Sequence, residues 1–389
     1  MEKIPTRLNY LDSLRGLAAF GVVFCHLACV FWNALYYEEN AATVFEQIWN
    51  KTPLNAITNG NLPVQFFFVL SGFLITKNIY TRNTTDGFRV LGKKFTNLLK
   101  LVIPGILLPF LLMRLHLMVH QAALAQDESL VFVKYYNNFS PTLGSALSDF
   151  FYTFTEKSNY NGPMWTIHFE LFGSLLITVL SSFVSSNVEG FWKRKLSYIL
   201  FYLIIGVMNQ NYCGFIAGAI TYDVLDSLMN QSAGQTDRFS FLRRTPVKLL
   251  LLAAGFYFAA INMNVTGIWY PLHFLSQLSA QFRIWGVCLC LFVLMLSPML
   301  QKMLSARFLV KLGKLSRFIF IFHWPMILSV GCWLFIRLYS TLSRGLLLVV
   351  AAGASILGTV LFSLLYSHFE AFLSAVICRS SSRTKLTPR

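Results

Sequence analysis

Apolar runs of about 20 residues recur along the whole chain, separated by polar gaps. A run of that length crosses the ~30 Å hydrocarbon core of a bilayer as one helix. The runs are too long, and alternate too little, for transmembrane strands. Composition agrees: 56% of the 389 residues are hydrophobic and 12% are charged, where a soluble domain carries about 25%. The runs fall at roughly 11–36, 63–80, 98–120, 166–186, 195–209, 212–229, 247–263, 280–298, 315–337 and 344–367. They predict an all-α, polytopic bundle of about ten helices with both termini on one side.

The net charge of +16 does not describe a nucleic-acid surface, because the positive residues sit in alternate gaps. They are Lys3 and Arg7, then Arg82, Arg89, Lys93 and Lys94, then Lys193, Arg194 and Lys195. Arg238, Arg243, Arg244 and Lys248 follow, then Lys302, Arg307, Lys311 and Lys314, and finally Arg379, Arg383, Lys385 and Arg389. The other gaps hold most loop acids, among them Glu38, Glu39, Glu46, Asp127, Glu128, Asp149 and Glu156. This is the positive-inside pattern, and it predicts cytoplasmic termini in the plasma membrane. One membrane domain is expected over 1–375, and a short, basic, disordered cytoplasmic tail over 376–389. The first run is too long for a cleaved leader and reads as an uncleaved anchor. Seven cysteines, mostly inside apolar runs and without a CxxC pair, predict neither disulfides nor a metal site. Two outer gaps are long, near 38–62 and 121–165. The second is rich in Tyr, Phe, Asn and Ser, which suits either stacking on a sugar or capping the bundle.

Four places put polar or small residues into the apolar pattern. In the first run, Arg15 and His26 are eleven residues apart, so they fall within roughly 20° of one helix face. Asp12 lies near that face, three residues from Arg15, where an ion pair is allowed. An ionisable ring inside a bilayer helix is a functional-site candidate by default. In the second run, Ser71-Gly72 lets two backbones approach closely. In the fourth, Trp165 precedes Glu170, a carboxylate about one and a half turns inside that needs a partner. His26, in the outer half of the first run, is the expected one. In the ninth, His323 precedes Pro325, which frees a backbone carbonyl. His116 and His120 have metal-compatible spacing but no third ligand.

Together these places resemble the acyltransferase-3 family of ten-helix membrane O-acyltransferases. The matching residues are Leu11-Asp-Ser-Leu-Arg-Gly16, the Arg15-to-His26 spacing, Ser71-Gly-Phe-Leu-Ile75, the Trp165-to-Glu170 spacing and Phe322-His-Trp-Pro325. The resemblance covers nearly the whole chain. It implies acyl transfer from cytoplasmic acyl-CoA, as co-substrate rather than bound cofactor, to a hydroxyl, often on a surface sugar. It also implies that His26 and Arg15 are essential. Family members commonly carry arginines after the second span, where this chain has Lys93, Lys94 and Lys100.

The expected assignments are therefore as follows. His26 is base or acyl carrier, aided by Glu170, Arg15 and Asp12. Arg15, Lys93, Lys94 and Lys100 meet the donor, and Ser71, Trp165 and His323 meet the substrate. Acyl-CoA, a carbohydrate or lipid-linked glycan, membrane lipids and a separate extracytoplasmic transferase are the expected partners; nucleic acid is not. The competing expectation is a transporter or flippase that uses the polar stripe as a path.

Overall fold

In the computed structural model, residues 8–81, 86–229, 240–261 and 278–384 are described. Lys3, Arg7, Arg82, Arg238 and the tail beyond Thr384 lie outside them. Among the described residues the chain forms helices and no strand. The long apolar helices are α1 (Asn9–Phe31), α3 (Asn61–Thr81), α4 (Asp86–Arg114), α7 (Thr166–Asn187), α13 (Arg307–Met326) and α15 (Arg344–Thr384), with α2 (Val44–Lys51), α5 (His120–Gln126) and α6 (Leu143–Tyr152) in the long connections. Between α7 and α13 come α8 (Phe191–Met208), α9 (Gln210–Met229), α10 (Thr245–Ala260), α11 (Ser279–Met295) and α12 (Pro298–Leu304), and α14 (Cys332–Leu338) precedes α15.

Six of these segments are long and apolar enough to cross a membrane, and α11 with α12, bent by 98°, makes up to seven. Ten were expected. The difference lies in the middle of the chain. There α8 opens on Lys193-Arg194-Lys195, α9 carries Asp223 and Asp226, and α10 has only 16 residues. The charges are compensated within the bundle: Asp223, with no exposed surface, holds Lys195 at 2.7 Å and Arg194 at 3.2 Å. At the C-terminus the backbone of α15 stays helical to Thr384, past the helix end read near 367 and the domain boundary at 375.

Close crossings of small residues build the core. Helix α1 packs chiefly on α13. A Cβ on Gly16 would lie 2.8 Å from the Gly313 nitrogen, and a Cβ on Gly313 would clash with the Asp12 carbonyl oxygen. Ten residues further along both helices, His26 meets His323. The shared offset means that the two helices run parallel and in register. Likewise α3 packs on α9, where a Cβ on Gly72 would collide with the Phe215 carbonyl. In lipid such contacts supply packing that the hydrophobic effect cannot.

The connection between α4 and α7 does not stay on top of the bundle as a cap. Its last part turns inward and joins α7 as one apolar segment, Gly162–Asn187. Tyr160, Asn161 and Met164 have no exposed surface. Asp149 organises the turn. Its carboxylate accepts the backbone N–H groups of Asn159 (2.6 Å) and Tyr160 (3.1 Å) and the Ser158 hydroxyl (3.2 Å). Asn161 then reaches two helices at once. Its Nδ2 donates to the Gly105 carbonyl of α4 (3.0 Å) and to the Ile321 carbonyl of α13 (2.8 Å). Gly105 stands four residues before Pro109, and Ile321 four before Pro325. Both carbonyls have lost their helical N–H donor to a proline. One amide thus satisfies two orphaned carbonyls near the middle of two spans, where water cannot.

Substituting Gly313→Ala should separate α1 from α13 and lower stability by about 1–3 kcal/mol, the usual cost of overpacking. Thermal unfolding in detergent measures it. Gly353→Ala on α15, where an added Cβ meets nothing within 4 Å, is the control and should leave the midpoint unchanged. Equal midpoints for both variants would rule out the close crossing.

Candidate active site

The register of α1 and α13 produces a histidine pair. His26 Nδ1 lies 3.1 Å from His323 Nε2 and 3.0 Å from the Val22 carbonyl. His323 Nδ1 lies 2.7 Å from the Phe320 carbonyl and 3.3 Å from that of Ile319. A carbonyl oxygen only accepts, so in the neutral rings each Nδ1 carries the proton. His323 Nε2 therefore offers a lone pair, and His26 Nδ1–H donates to it. The tautomers of both rings follow, and His26 is left with Nε2 as its unprotonated nitrogen. His323 has no exposed surface, whereas His26 is partly exposed. Trp324 meets the His26 ring edge-on at 5.2 Å, and Tyr136 packs on Trp324 at 4.8 Å. Tyr136 also fixes its loop, because its carbonyl accepts His120 Nε2–H at 2.9 Å. Burial pushes the His120 imidazole below its ordinary 6.5, against the opposing pull of the Tyr136 carbonyl.

A cavity of about 190 Å³ lies beside Phe320, and neither His26 nor His323 is among its wall residues. Its polar wall is Arg15, Ser71, Glu170 and Arg317, and Phe67 and Phe320 line its apolar side. Phe320 packs on His323 at 6.0 Å and on Phe67 at 6.1 Å. A single ring therefore stands between the cavity and the buried histidine. Arg15 is held by Asp12 at 3.3 Å, and Arg317 by Glu370 of α15 at 2.5 Å. Among the described residues no group of three or more His, Cys, Asp or Glu could hold a metal ion.

The acyltransferase-domain family, acyltransferase 3, matches this chain over residues 8–368. The chain belongs to the acyltransferase-3 family. No curated protein and no solved structure matches it. As a member of this family it is a multi-pass membrane acyltransferase.

Within this acyltransferase the expected site residues fall into two groups. His26 and His323 meet, and Arg15 and Asp12 form the pair that the helix spacing allows. His323, buried behind Phe320, touches His26 instead of the cavity. Glu170 does not reach His26, which corrects the partnership expected from sequence. Its Oε1 takes Lys94 Nζ at 2.5 Å and the Ser71 hydroxyl at 2.7 Å. The reason is packing: α7 lies against α3 and α4, while α1 has α13 as its main neighbour. Lys94 is thereby occupied, and Lys93 and Lys100 are exposed on α4. Trp165 packs edge-on against Phe169 at 5.5 Å and is not part of the cavity wall. Arg317 and Asn161 escaped the sequence reading. A signal existed for Arg317, a cation inside the ninth apolar run, which is rare without a role. Nothing local marks Asn161, because its partners are carbonyls of two distant helices.

The Lys94–Glu170 pair should behave as a structural tie. Each side chain is 21% exposed, so removing one charge leaves the other largely desolvated. Glu170→Gln should cost roughly 2–3 kcal/mol of stability, somewhat below the range for fully buried pairs. The double variant Glu170→Gln/Lys94→Met should recover most of it in a detergent melt. An additive loss in the double variant would exclude the tie.

Proposed function

We propose that this acyltransferase moves an acyl group, in the simplest case acetyl, from cytoplasmic acyl-CoA to a hydroxyl of a surface carbohydrate or lipid-linked glycan. It acts in the plasma membrane, with both termini in the cytoplasm, and His26 is its general base. The observation that carries this reading is the hydrogen-bond chain from His26 to His323 to Phe320, which leaves His26 Nε2 basic. A neutral imidazole with a free ring nitrogen suits the acceptance of a hydroxyl proton.

The step balances as follows. The acceptor hydroxyl oxygen attacks the thioester carbonyl carbon, and His26 Nε2 takes the hydroxyl proton. The tetrahedral oxyanion collapses, the C–S bond breaks, and the CoA sulfur leaves with the proton from Nε2. An ester and free CoA result. While Nε2 holds the proton, His26 is a cation. His323 Nε2 accepts from its Nδ1–H throughout, which orients the ring and stabilises that cation. The role is that of a triad's third member, filled by a neutral ring instead of a carboxylate.

Arg15 and Arg317, on the cavity wall, suit the donor's phosphates. Arginine holds phosphate through a fork of two N–H groups, which lysine lacks. The donor contact then rests on α1 and α13 more than on Lys93, Lys94 and Lys100, although the exposed Lys93 and Lys100 still attract a polyanion. At the loop end, the exposed Tyr135 and Tyr152 offer faces on which a sugar can stack. Transfer is completed by this chain or handed to a separate extracytoplasmic transferase.

Purified protein in nanodiscs, supplied with radiolabelled acetyl-CoA and cell-surface glycan, tests the reading. His26→Ala should lower turnover by about 10²–10⁴-fold, the usual contribution of a general base. His323→Phe should lose less, because the base remains and only its orientation and cation are unsupported. Full turnover by His26→Ala, with normal membrane levels, would overturn the proposal. Arg15→Gln and Arg317→Gln should each raise KM for acetyl-CoA about tenfold, the equivalent of one charged hydrogen bond, with a smaller effect on kcat. A donor KM unchanged in both variants would remove the phosphate assignment.

A further inference from the structure

We propose that Asn161 is a positioning residue for the histidine pair. The inference rests on the acyl-transfer reading above and adds to it a control point on the connection between α4 and α7. Three consecutive carbonyls of α13 carry the argument. Those of Ile319 and Phe320 face His323 Nδ1, at 3.3 and 2.7 Å, and that of Ile321 faces Asn161 Nδ2, at 2.8 Å. The first two aim the imidazole, and the third is held from outside the helix. Pro325 is the reason an outside donor is needed, since residue 325 has no N–H to return to Ile321.

The geometry makes the coupling specific. Peptide planes that follow one another in a helix turn together, so a swing of the Ile321 carbonyl toward a new donor also turns that of Phe320. His323 Nδ1 follows Phe320, and His323 Nε2 is the acceptor that, beside the Val22 carbonyl, receives the His26 Nδ1–H and orients that ring. Asn161 is the only side chain donating to the Ile321 carbonyl among the described residues. Its second N–H is spent on Gly105, the carbonyl that Pro109 orphans in α4. The amide therefore cannot rotate to serve one helix without releasing the other. It ties the aim of the base to the distance between α4, which lines the cavity through Leu98 and Leu101, and α13. The backbone of Asn161 is itself anchored, with its N–H on Ser158 Oγ at 3.3 Å, one residue past the turn that Asp149 holds.

The test uses three variants of the full chain in nanodiscs: Asn161→Asp, Pro325→Ala and the double variant. Aspartate keeps the size of the side chain and removes both amide hydrogens. Alanine at 325 restores the N–H that bonds Ile321 within the helix. Asn161→Asp should lower kcat at least tenfold per folded molecule and leave KM for acetyl-CoA within twofold. A misplacement near 1 Å costs up to about 10²-fold. In the Pro325→Ala background the same change should cost threefold or less. Histidine ¹⁵N spectra should show the His26 Nδ1 resonance shifting in Asn161→Asp, as its bond to His323 Nε2 is lost, and returning in the double variant. If Asn161→Asp fails to fold, the double variant decides alone: folded and turning over within threefold of Pro325→Ala it supports the clamp, and unfolded or slower it overturns it. Wild-type kcat in folded Asn161→Asp, or an equal penalty in both backgrounds, also overturns it. His26→Ala runs alongside. If that variant stays active, the acyl-transfer reading fails; if it is inactive while Asn161→Asp is unimpaired, only the clamp fails.

Discussion

The contact of α1 with α13 at Gly16 and Gly313 is the constraint on which the site depends. Two helices separated by nearly the whole sequence run parallel with backbones touching. Side chains at equal heights above that crossing must then meet. His26 and His323 do so at 3.1 Å, and each uses a backbone carbonyl of its own helix to settle which nitrogen carries the proton. The bond between the two rings, unlike their tautomers, would be lost in a wider interface. Small residues thus have a chemical consequence ten residues away. They set the distance between the two imidazole rings.

Buried polar groups elsewhere obey the same rule, that hydrocarbon offers no water to complete a hydrogen bond. Asp223 takes Lys195 and Arg194, Glu170 takes Lys94 and Ser71, and Asn161 takes the carbonyls that two prolines release. These ties do different work. The first two neutralise charge between neighbouring helices. The third joins a loop-derived segment to two spans at mid-height, and so makes the connection between α4 and α7 part of the interior. A segment that looks like a surface loop by composition becomes a wall of the bundle because its polar atoms have partners only there.

The cavity sits where the helices cannot close. Arg15 and Arg317 come from the two helices of the crossing, while Ser71 and Glu170 come from α3 and α7. Phe320 divides this polar hollow from His323. The arrangement sets a hollow that carries two arginines apart from the histidine pair by one aromatic ring. Arg317 is balanced by Glu370 and Arg15 by Asp12, which lets two arginines share a hollow of about 190 Å³ without mutual repulsion opening it.

Much was legible in the residue order itself. Run length and sparse charge required a helical membrane bundle, the spacing of Asp12, Arg15 and His26 put them on one stripe, and Pro325 announced a free carbonyl. These are local properties, determined by the helix period and by the missing N–H of proline. Partnership was not legible. Glu170 was expected on His26 and lies on Lys94, and nothing local announced that His323 meets His26. Arg317 and Asn161 were passed over. A helix period says which face a residue occupies, but not which helix that face meets. That choice belongs to the crossings at glycines 16, 72 and 313, and to an asparagine whose two partners lie 56 and 160 residues away.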